Sequence, residues 1–362
     1  MEQKQKRILA INLGSTSSMV SVFEGETAIA EISISHTMEE IKACPGIEGQ
    51  YQMRKVLVEQ ALQKREIPFT SLDAIAVRGM GAPGRYSAGA YLIDDRLVEG
   101  SRQGVHVGLA AAPIMANDWS KQYHIPAYLY DVVGTDEIVD VARISGSPLI
   151  ERSGSVHTLN TRAVARQVAE DMGKHYEDVT MILCHLGGGI STSLHQNGRI
   201  VDGLATDEGT FTPDRSGKLP LKKLVKLCMS GNYDKKQIDR ILTGDAGLIG
   251  YLGTNNCKEI ETRIQQGDTK ADLVYRAMAY QIAQDIGAMA VVAKGKLDGI
   301  ILTGGIAYSE LFTGWIKEYV HFLAPVILYP GSMEMLALVR GITRVLEGKE
   351  TAKLYVPGET VL

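Results

Sequence analysis

At 362 residues, with 45% apolar and 22% charged side chains, the chain has the composition of an ordinary globular protein and more length than one hydrophobic core usually serves, which predicts two domains. A formal net charge of −4 argues against nucleic acid as the main partner. No window approaches the roughly 20 apolar residues of a membrane span, so no membrane partner is expected, and the scattered cysteines Cys44, Cys184, Cys228 and Cys257, lacking CxxC or zinc-type spacing, suit a reducing, cytoplasmic setting.

In chain order, the opening MEQKQKRILAINLG holds only the short apolar run ILAIN before turn chemistry begins, too little for a secretory segment. Residues 8–26, ILAINLGSTSSMVSVFEGE, read as an apolar strand, a Gly/Ser turn, a second strand of alternating character and a polar turn at Gly25. A helical stretch near 51–65 leads to the strand LDAIAVRGMG (72–81), and further helix-like sequence leads to IPAYLYD (125–131). The second half repeats this order. MILCHLGGGISTSLHQNGR (181–199) lies on 8–26 without gaps, placing Leu186, Gly187, Ser191 and Gly198 on Leu13, Gly14, Ser18 and Gly25. A helix near 271–294 precedes LDGIILTGGI (297–306), which matches 72–81, and APVILYP (324–330) matches 125–131.

Any single pair of short apolar strands can match by chance, but matches in the same order and spacing predict a duplicated α/β domain. Each half opens with a hairpin and continues strand, helix, strand, helix, strand. The last segment, MLALVRGITRVLEG, carries apolar residues on helical spacing and is expected to return to the first domain. The predicted domains are 1–152 completed by 332–362, and 153–331.

Glycine-rich turns such as HLGGGIST serve either as tight turns or as phosphate cradles: Gly permits positive φ and lets backbone N–H groups approach phosphate oxygens, and Ser or Thr adds hydroxyl donors. GMGAPG (79–84) fits GxGxxG, but RYSAGAYLID after it reads as loop and strand, whereas a dinucleotide site needs a helix there; GxxxxGK[ST] and HExxH do not occur. The duplicated hairpin layout resembles that of actin, hexokinase and the heat-shock ATPases. That resemblance implies two RNase-H-like domains around an interdomain cleft, with phosphates held by NLGSTSS, HLGGGIS and TGGIAYS.

The stretches LAINLGSTSS, YLYDVVGTDE, VARISGSP, VHTLN, HLGGGIS, FTPDRSGKLPL, GYLGTNN and LTGGIA, spread over nearly the whole chain, resemble the acetokinase family of acetate and butyrate kinases; FTPDRSG and the shorter length lie nearer its butyrate kinase branch. The resemblance implies reversible phosphoryl transfer between ATP and a short-chain carboxylate, butyrate or a branched acid, giving acyl phosphate and ADP. It also implies Mg²⁺ with ATP/ADP and a homodimer or larger assembly. A carboxylate is already an anionic nucleophile, so such a reaction needs positioning and charge neutralisation but no general base.

Carried over residue by residue, the resemblance implies catalytic roles for Arg215, Asp131, His157 and His185, and magnesium association for Asp131 and Glu334. Asn12, Gly14, Ser15 and Ser17 of the first hairpin, Gly187, Gly188 and Gly189 of the second, and Gly304 and Gly305 would face nucleotide phosphates. Asn256 and Lys258 would contact ribose and base, and Arg78, Val156 and His106 the carboxylate. Met19 stands where the family usually has lysine, and Met333 and Met335 flank Glu334 where Asn and a second Glu are usual; methionine neither neutralises phosphate nor orients the waters of Mg²⁺. Two other readings stay open: a weakly active or non-catalytic nucleotide-binding regulatory protein on the same fold, and a sugar kinase, which would need an aspartate base at the hydroxyl.

Overall fold

The first apolar run becomes β1 (Arg7–Leu13), paired antiparallel with β2 (Ser17–Glu24), and the turn at Gly25, whose φ is 61°, returns the chain as β3 (Thr27–Ser35). In the computed structural model, which describes residues 5–81, 84–104 and 106–356, β4 (Ala74–Arg78), β5 (Ala90–Leu92) and β6 (Ala127–Tyr130) follow. They complete a sheet of order β3-β2-β1-β4-β6-β5, with β1, β4 and β6 parallel. The second half forms β7 (Thr180–Leu186), β8 (Ile190–Gln196), β9 (Arg199–Leu204), β10 (Gly299–Gly304) and β11 (Val326–Pro330). Their order is β11-β10-β7-β8-β9, which repeats β6-β4-β1-β2-β3 strand for strand.

Register confirms the duplication at single-residue level. Both sheets carry an irregularity in the second hairpin, at Val22/Phe23 and at Leu194/His195. Val22 faces Leu9 and Leu194 faces Ile182, and these stand equally far from the strand ends Leu13 and Leu186. One detail differs from the gapless alignment. Leu13 pairs with Ser18 whereas Leu186 pairs with Ile190, so the first hairpin tip is one residue longer and Met19, not Ser18, corresponds to Ser191.

The chain divides into two units, one running to Asp136 and resuming at Met333, the other Glu137–Ser332. The boundary expected at 152 therefore moves to 136. Residues 137–152 build onto β9: the Val139 N–H donates to the Val201 carbonyl (2.9 Å), and Arg152 reaches the Gly203 carbonyl (2.9 Å) and the Asp202 carboxylate (3.3 Å). The terminal stretches 1–4 and 357–362, and Ala82 and Pro83 of GMGAPG, lie outside the described residues.

In the first unit the helices Gly46–Gln63 and Val107–Tyr123 pack on each other, and the second covers β1, β4 and β6. Its Pro113 cannot donate to the Leu109 carbonyl; the Met80 N–H does so instead, at 3.0 Å. A Cβ on Gly79 would stand 3.0 Å from that same oxygen, so glycine lets the end of β4 dock beside Arg78. The final helix, Glu334–Leu346, packs on β1, β4 and β6, burying Ala337, Leu338, Val339 and Ile342. Strands covered in this way on both faces read as unbroken apolar runs.

The tightest point of that packing is Gly341, where a Cβ would lie 2.4 Å from the Tyr130 ring. Alanine is favoured over glycine in a helix interior by about 1 kcal/mol, but overpacking costs about 1–3 kcal/mol, so Gly341→Ala is expected to destabilise the first unit, read as a lower urea midpoint. A midpoint at or above that of the unsubstituted chain would show that the helix can lift off Tyr130 freely.

Candidate active site

In the second unit, β7 ends at Leu186 and the tip Gly187–Gly189 turns back on itself through the Gly187 N–H to the Gly189 carbonyl (3.1 Å). Gly188 has open space where a side chain would stand. A Cβ on Gly189 would meet Arg215 Nη1 at 3.0 Å and the His157 ring at 3.2 Å, and one on Gly187 would meet His185 Nε2 at 2.9 Å. Thus Arg215, His157 and His185 gather around one hairpin tip. The two imidazoles stack with centroids 4.1 Å apart.

Each group has a support. Asn160, in the helix Thr158–Asp171 that His157 precedes, donates through Nδ2 to His185 Nδ1 (3.0 Å) and to the Thr303 hydroxyl (3.3 Å). With Nδ1 accepting, the neutral imidazole carries its proton on Nε2, the nitrogen nearest Gly187. The Ser191 hydroxyl accepts from the His157 backbone N–H (3.2 Å) and bonds its Nδ1 (2.7 Å). Arg215 sits in a turn tied by Thr212: the Thr212 N–H donates to the Arg215 carbonyl (2.9 Å) and the Arg215 N–H to the Thr212 hydroxyl (3.1 Å). Its Nε is buried without a hydrogen-bond acceptor among the described residues, with Asp214 in ion-pair range at 3.6 Å.

Two residues outside the expected set anchor this arginine loop. Gly247 has φ 59° and would put a Cβ 1.8 Å from the Thr212 carbonyl oxygen, so no other residue fits there. Asp285, buried on the helix Thr269–Val292, accepts from the Thr210 N–H (2.7 Å) and from Lys218 (2.7 Å), pinning both ends of the loop. Burial pushes its carboxyl pKa upward, and Lys218 pulls it back.

Gly304 and Gly305 follow β10. Gly304, at φ 94°, would bring a Cβ within 2.4 Å of the Leu186 carbonyl oxygen, while Gly305 faces open space. Val156 lies against Gly203, where a Cβ would stand 2.9 Å from its methyl. Asn256 instead caps the helix Cys257–Gln265, its Oδ1 accepting from the N–H groups of Lys258 (3.1 Å) and Glu259 (3.3 Å). Among the described residues no hydrogen bond joins Asn256 or Lys258 to the glycine tips.

In the first unit, Asn12, Arg78 and Glu334 close a triad. Arg78 Nε lies 3.3 Å from Glu334 Oε1, Arg78 Nη1 donates to Asn12 Oδ1 (3.3 Å), and Asn12 Nδ2 donates to Glu334 Oε2 (2.9 Å). Glu334 opens the final helix, where a carboxylate also meets the positive end of the helix dipole. Gly14, Ser15, Arg78 and His106 line one cavity of about 620 Å³, together with Arg54. Ser17 begins β2 behind this tip. Asp131 directly follows β6 with φ 42°, hooked to Gly89 by the Gly89 N–H to Asp131 Oδ1 (2.7 Å) and the Asp131 N–H to the Gly89 carbonyl (3.0 Å). A left-handed backbone at a buried aspartate is the kind of local strain that gathers at functional sites. Met19 is paired across from Asn12 and exposed.

A model of the acetokinase family matches residues 145–312. Butyrate kinase 2 of Clostridium acetobutylicum is 40% identical over 353 residues, 96% of this chain and 99% of that protein. The chain belongs to the acetokinase family. A probable butyrate kinase of Clostridium botulinum is 39% identical over the same share. Among solved structures, the acetate kinase of Porphyromonas gingivalis aligns with a TM-score of 0.78 at 17% identity, covering 93% of this chain and 99% of that one. The propionate kinase of Francisella tularensis gives 0.77 at 16%, covering 93% and 98%. At such identities these two speak for the acetokinase fold alone.

Proposed function

We propose that this chain is an ATP-dependent carboxylate kinase, transferring the γ-phosphoryl group reversibly between ATP and a short-chain carboxylate. The observation that carries the reading is the open Gly187–Gly189 tip bordered by Arg215, His157 and His185, on a chain 40% identical to a butyrate kinase along nearly its whole length. In this reading Arg215, whose Nη1 stands at the Gly189 tip, grips the transferring phosphoryl group, whose oxygens suit a guanidinium fork. His185 donates from Nε2, the tautomer that Asn160 selects, and His157, oriented by Ser191, offers a second ring beside it. Arg78, steadied by Glu334 and Asn12, binds the carboxylate, with His106 lining the same cavity.

No proton has to move, because the carboxylate attacks as the anion it already is; the protein's task is to orient it and spread the phosphoryl charge. Magnesium bound with ATP would add charge neutralisation at the phosphates. Asp131 and Glu334 suit that ion as hard oxygen donors. Mg²⁺ takes one or two protein carboxylates and keeps water and phosphate oxygens, and among the described residues no cluster of three or more acidic, His or Cys groups forms a protein cage. Gly14, Ser15, Ser17, Gly304 and Gly305 would face phosphates in the same reading, and Lys258 and Asn256 the nucleoside.

A homodimer or larger assembly is part of the proposal. It is supported by the helices Leu221–Cys228 and Lys235–Leu242, which bury none of their residues, the first exposing Leu221 and Val225 with Met229 exposed just after it. Unpaired cysteines support a cytoplasmic setting, and no helix among the described residues is long and apolar enough to cross a membrane.

Arg215→Ala is expected to lower kcat about a hundredfold or more with the fold intact, as for a lost transition-state donor; a folded variant with most of its kcat would remove Arg215 from the reaction. Gly188→Val tests the cradle. Nothing stands within 4 Å of the added Cβ, so the variant should keep its melting temperature while nucleotide binding weakens about tenfold or more, because a branched side chain blocks phosphate approach. Unchanged nucleotide affinity would leave HLGGGIST a mere turn. Hydroxamate detection of acyl phosphate across a series of acids tests the function as a whole: butyrate or a branched acid should exceed acetate in kcat/KM by about tenfold, since a methylene in an apolar pocket is worth about 1–3 kcal/mol. Acyl phosphate from none of the acids would overturn the reading.

A further inference from the structure

The tip of the first hairpin, Gly14–Ser17, has its carbonyls drawn inward. Arg54, from the helix Gly46–Gln63, donates through Nη2 to the Ser15 carbonyl (3.0 Å) and through Nη1 to the Ser17 carbonyl (2.8 Å) and the Ser18 hydroxyl (3.1 Å). The Thr16 carbonyl is taken by the His36 N–H (2.9 Å), and the Ser17 carbonyl also by the Gly14 N–H (2.9 Å). Among the described residues the N–H groups of Ser15 and Thr16 meet no protein acceptor, and both residues are exposed. A turn whose carbonyls point to a buried cation and whose N–H groups point outward is polarised towards an anion.

The charge behind the tip is not cancelled. Arg54 is 1% exposed, its Nε is satisfied by Gln50 Oε1 at 3.0 Å, and no carboxylate lies in ion-pair range among the described residues. Burial lowers its pKa from the ordinary value, yet a guanidinium keeps its proton. His36, bonded through Nε2 to the Ser18 hydroxyl (2.8 Å), is itself held towards the neutral form by burial and by Arg54. Such a buried, uncompensated cation is costly unless something gains from it. Arg54 borders the cavity shared by Gly14, Ser15 and Arg78, and the exposed Met19 contributes no charge to the outer side of the hairpin.

We propose that Arg54 is a positioning residue for the nucleotide: its fork holds the Ser15–Ser17 turn by its carbonyls, leaving the Ser15 and Thr16 N–H groups open to an anion, and its charge, unpaired among the described residues, favours the phosphates that turn receives. This rests on the carboxylate kinase reading for the identity of the ligand and goes beyond it in assigning a residue that touches no substrate.

The test compares Arg54→Gln and Arg54→Lys with the unsubstituted full-length chain. It uses calorimetric titration of ADP with Mg²⁺, melting without ligand, and separate KM values for ATP and butyrate. Arg54→Gln should weaken ADP binding about tenfold or more, as for a lost charge-assisted fork, a clearly larger factor than any rise in the butyrate KM of the folded enzyme. Arg54→Lys keeps charge and bulk but not the fork and should fall between the two. A merely structural arginine would lower the melting temperature and leave ADP affinity unchanged in the folded fraction, or weaken ADP and butyrate alike; either result overturns the proposal. If Arg54→Gln does not fold, Arg54→Lys decides: ADP affinity within about twofold of the unsubstituted chain overturns it, and a larger loss that exceeds the change in butyrate KM supports it. Should the unsubstituted chain bind ADP yet make no acyl phosphate, the carboxylate kinase reading fails while the ADP titrations still decide the role of Arg54.

Discussion

A close backbone contact at the end of each central strand underlies the rest of this structure. In the first unit a Cβ on Gly108 would lie 2.8 Å from the Gly14 carbonyl oxygen, and in the second a Cβ on Gly304 would lie 2.4 Å from that of Leu186. With no side chain between them, the start of the Val107–Tyr123 helix and the end of β10 press directly on β1 and β7. The hairpin tips beyond are left uncovered, with Gly188 facing open space. An approachable backbone is thus a product of packing elsewhere, and a larger residue at Gly304 would strain it both by contact and by its φ of 94°.

The two units use their charges differently. In the first, Arg78, Asn12 and Glu334 satisfy one another, so the arginine is fixed in direction before any ligand arrives. In the second, the one carboxylate in ion-pair range of Arg215 among the described residues is Asp214, at 3.6 Å; the arginine's precision comes from the backbone turn at Thr212 and from Asp285 holding both ends of the loop. Leaving a donor without a strong acceptor costs stability and favours an incoming anion. The rigid support around Arg215 is what keeps such an unmet donor in place.

Much of the fold was legible in the sequence because a strand buried on both faces must be an apolar run, and three such runs recur in order. The matched segments 8–26 and 181–199, 72–81 and 297–306, and 125–131 and 324–330 occupy equivalent places in the two sheets. The boundary at 136 was not legible, because residues 137–152 carry no strand period and join the second unit through hydrogen bonds to β9. Nor was the extra residue in the first tip, since a gapless comparison cannot register a loop change between matching strands. Asn256 carries a structural task as well: its side-chain oxygen caps a helix by accepting from the Lys258 and Glu259 N–H groups.

By itself the sequence determined the duplicated α/β architecture, the glycine tips and the family, since all three reside in local pattern and in residues kept at fixed spacing. Only the tertiary structure decided which charges are buried and what they hold. Arg54 and Asp285 sit in helical sequence where an arginine or aspartate ordinarily marks a solvated face. Their contacts come from strands and loops distant in the chain, Ser15 to Ser18 for one and Thr210 and Lys218 for the other. Burial of a charge is a property of everything packed around it, and no window of sequence contains that.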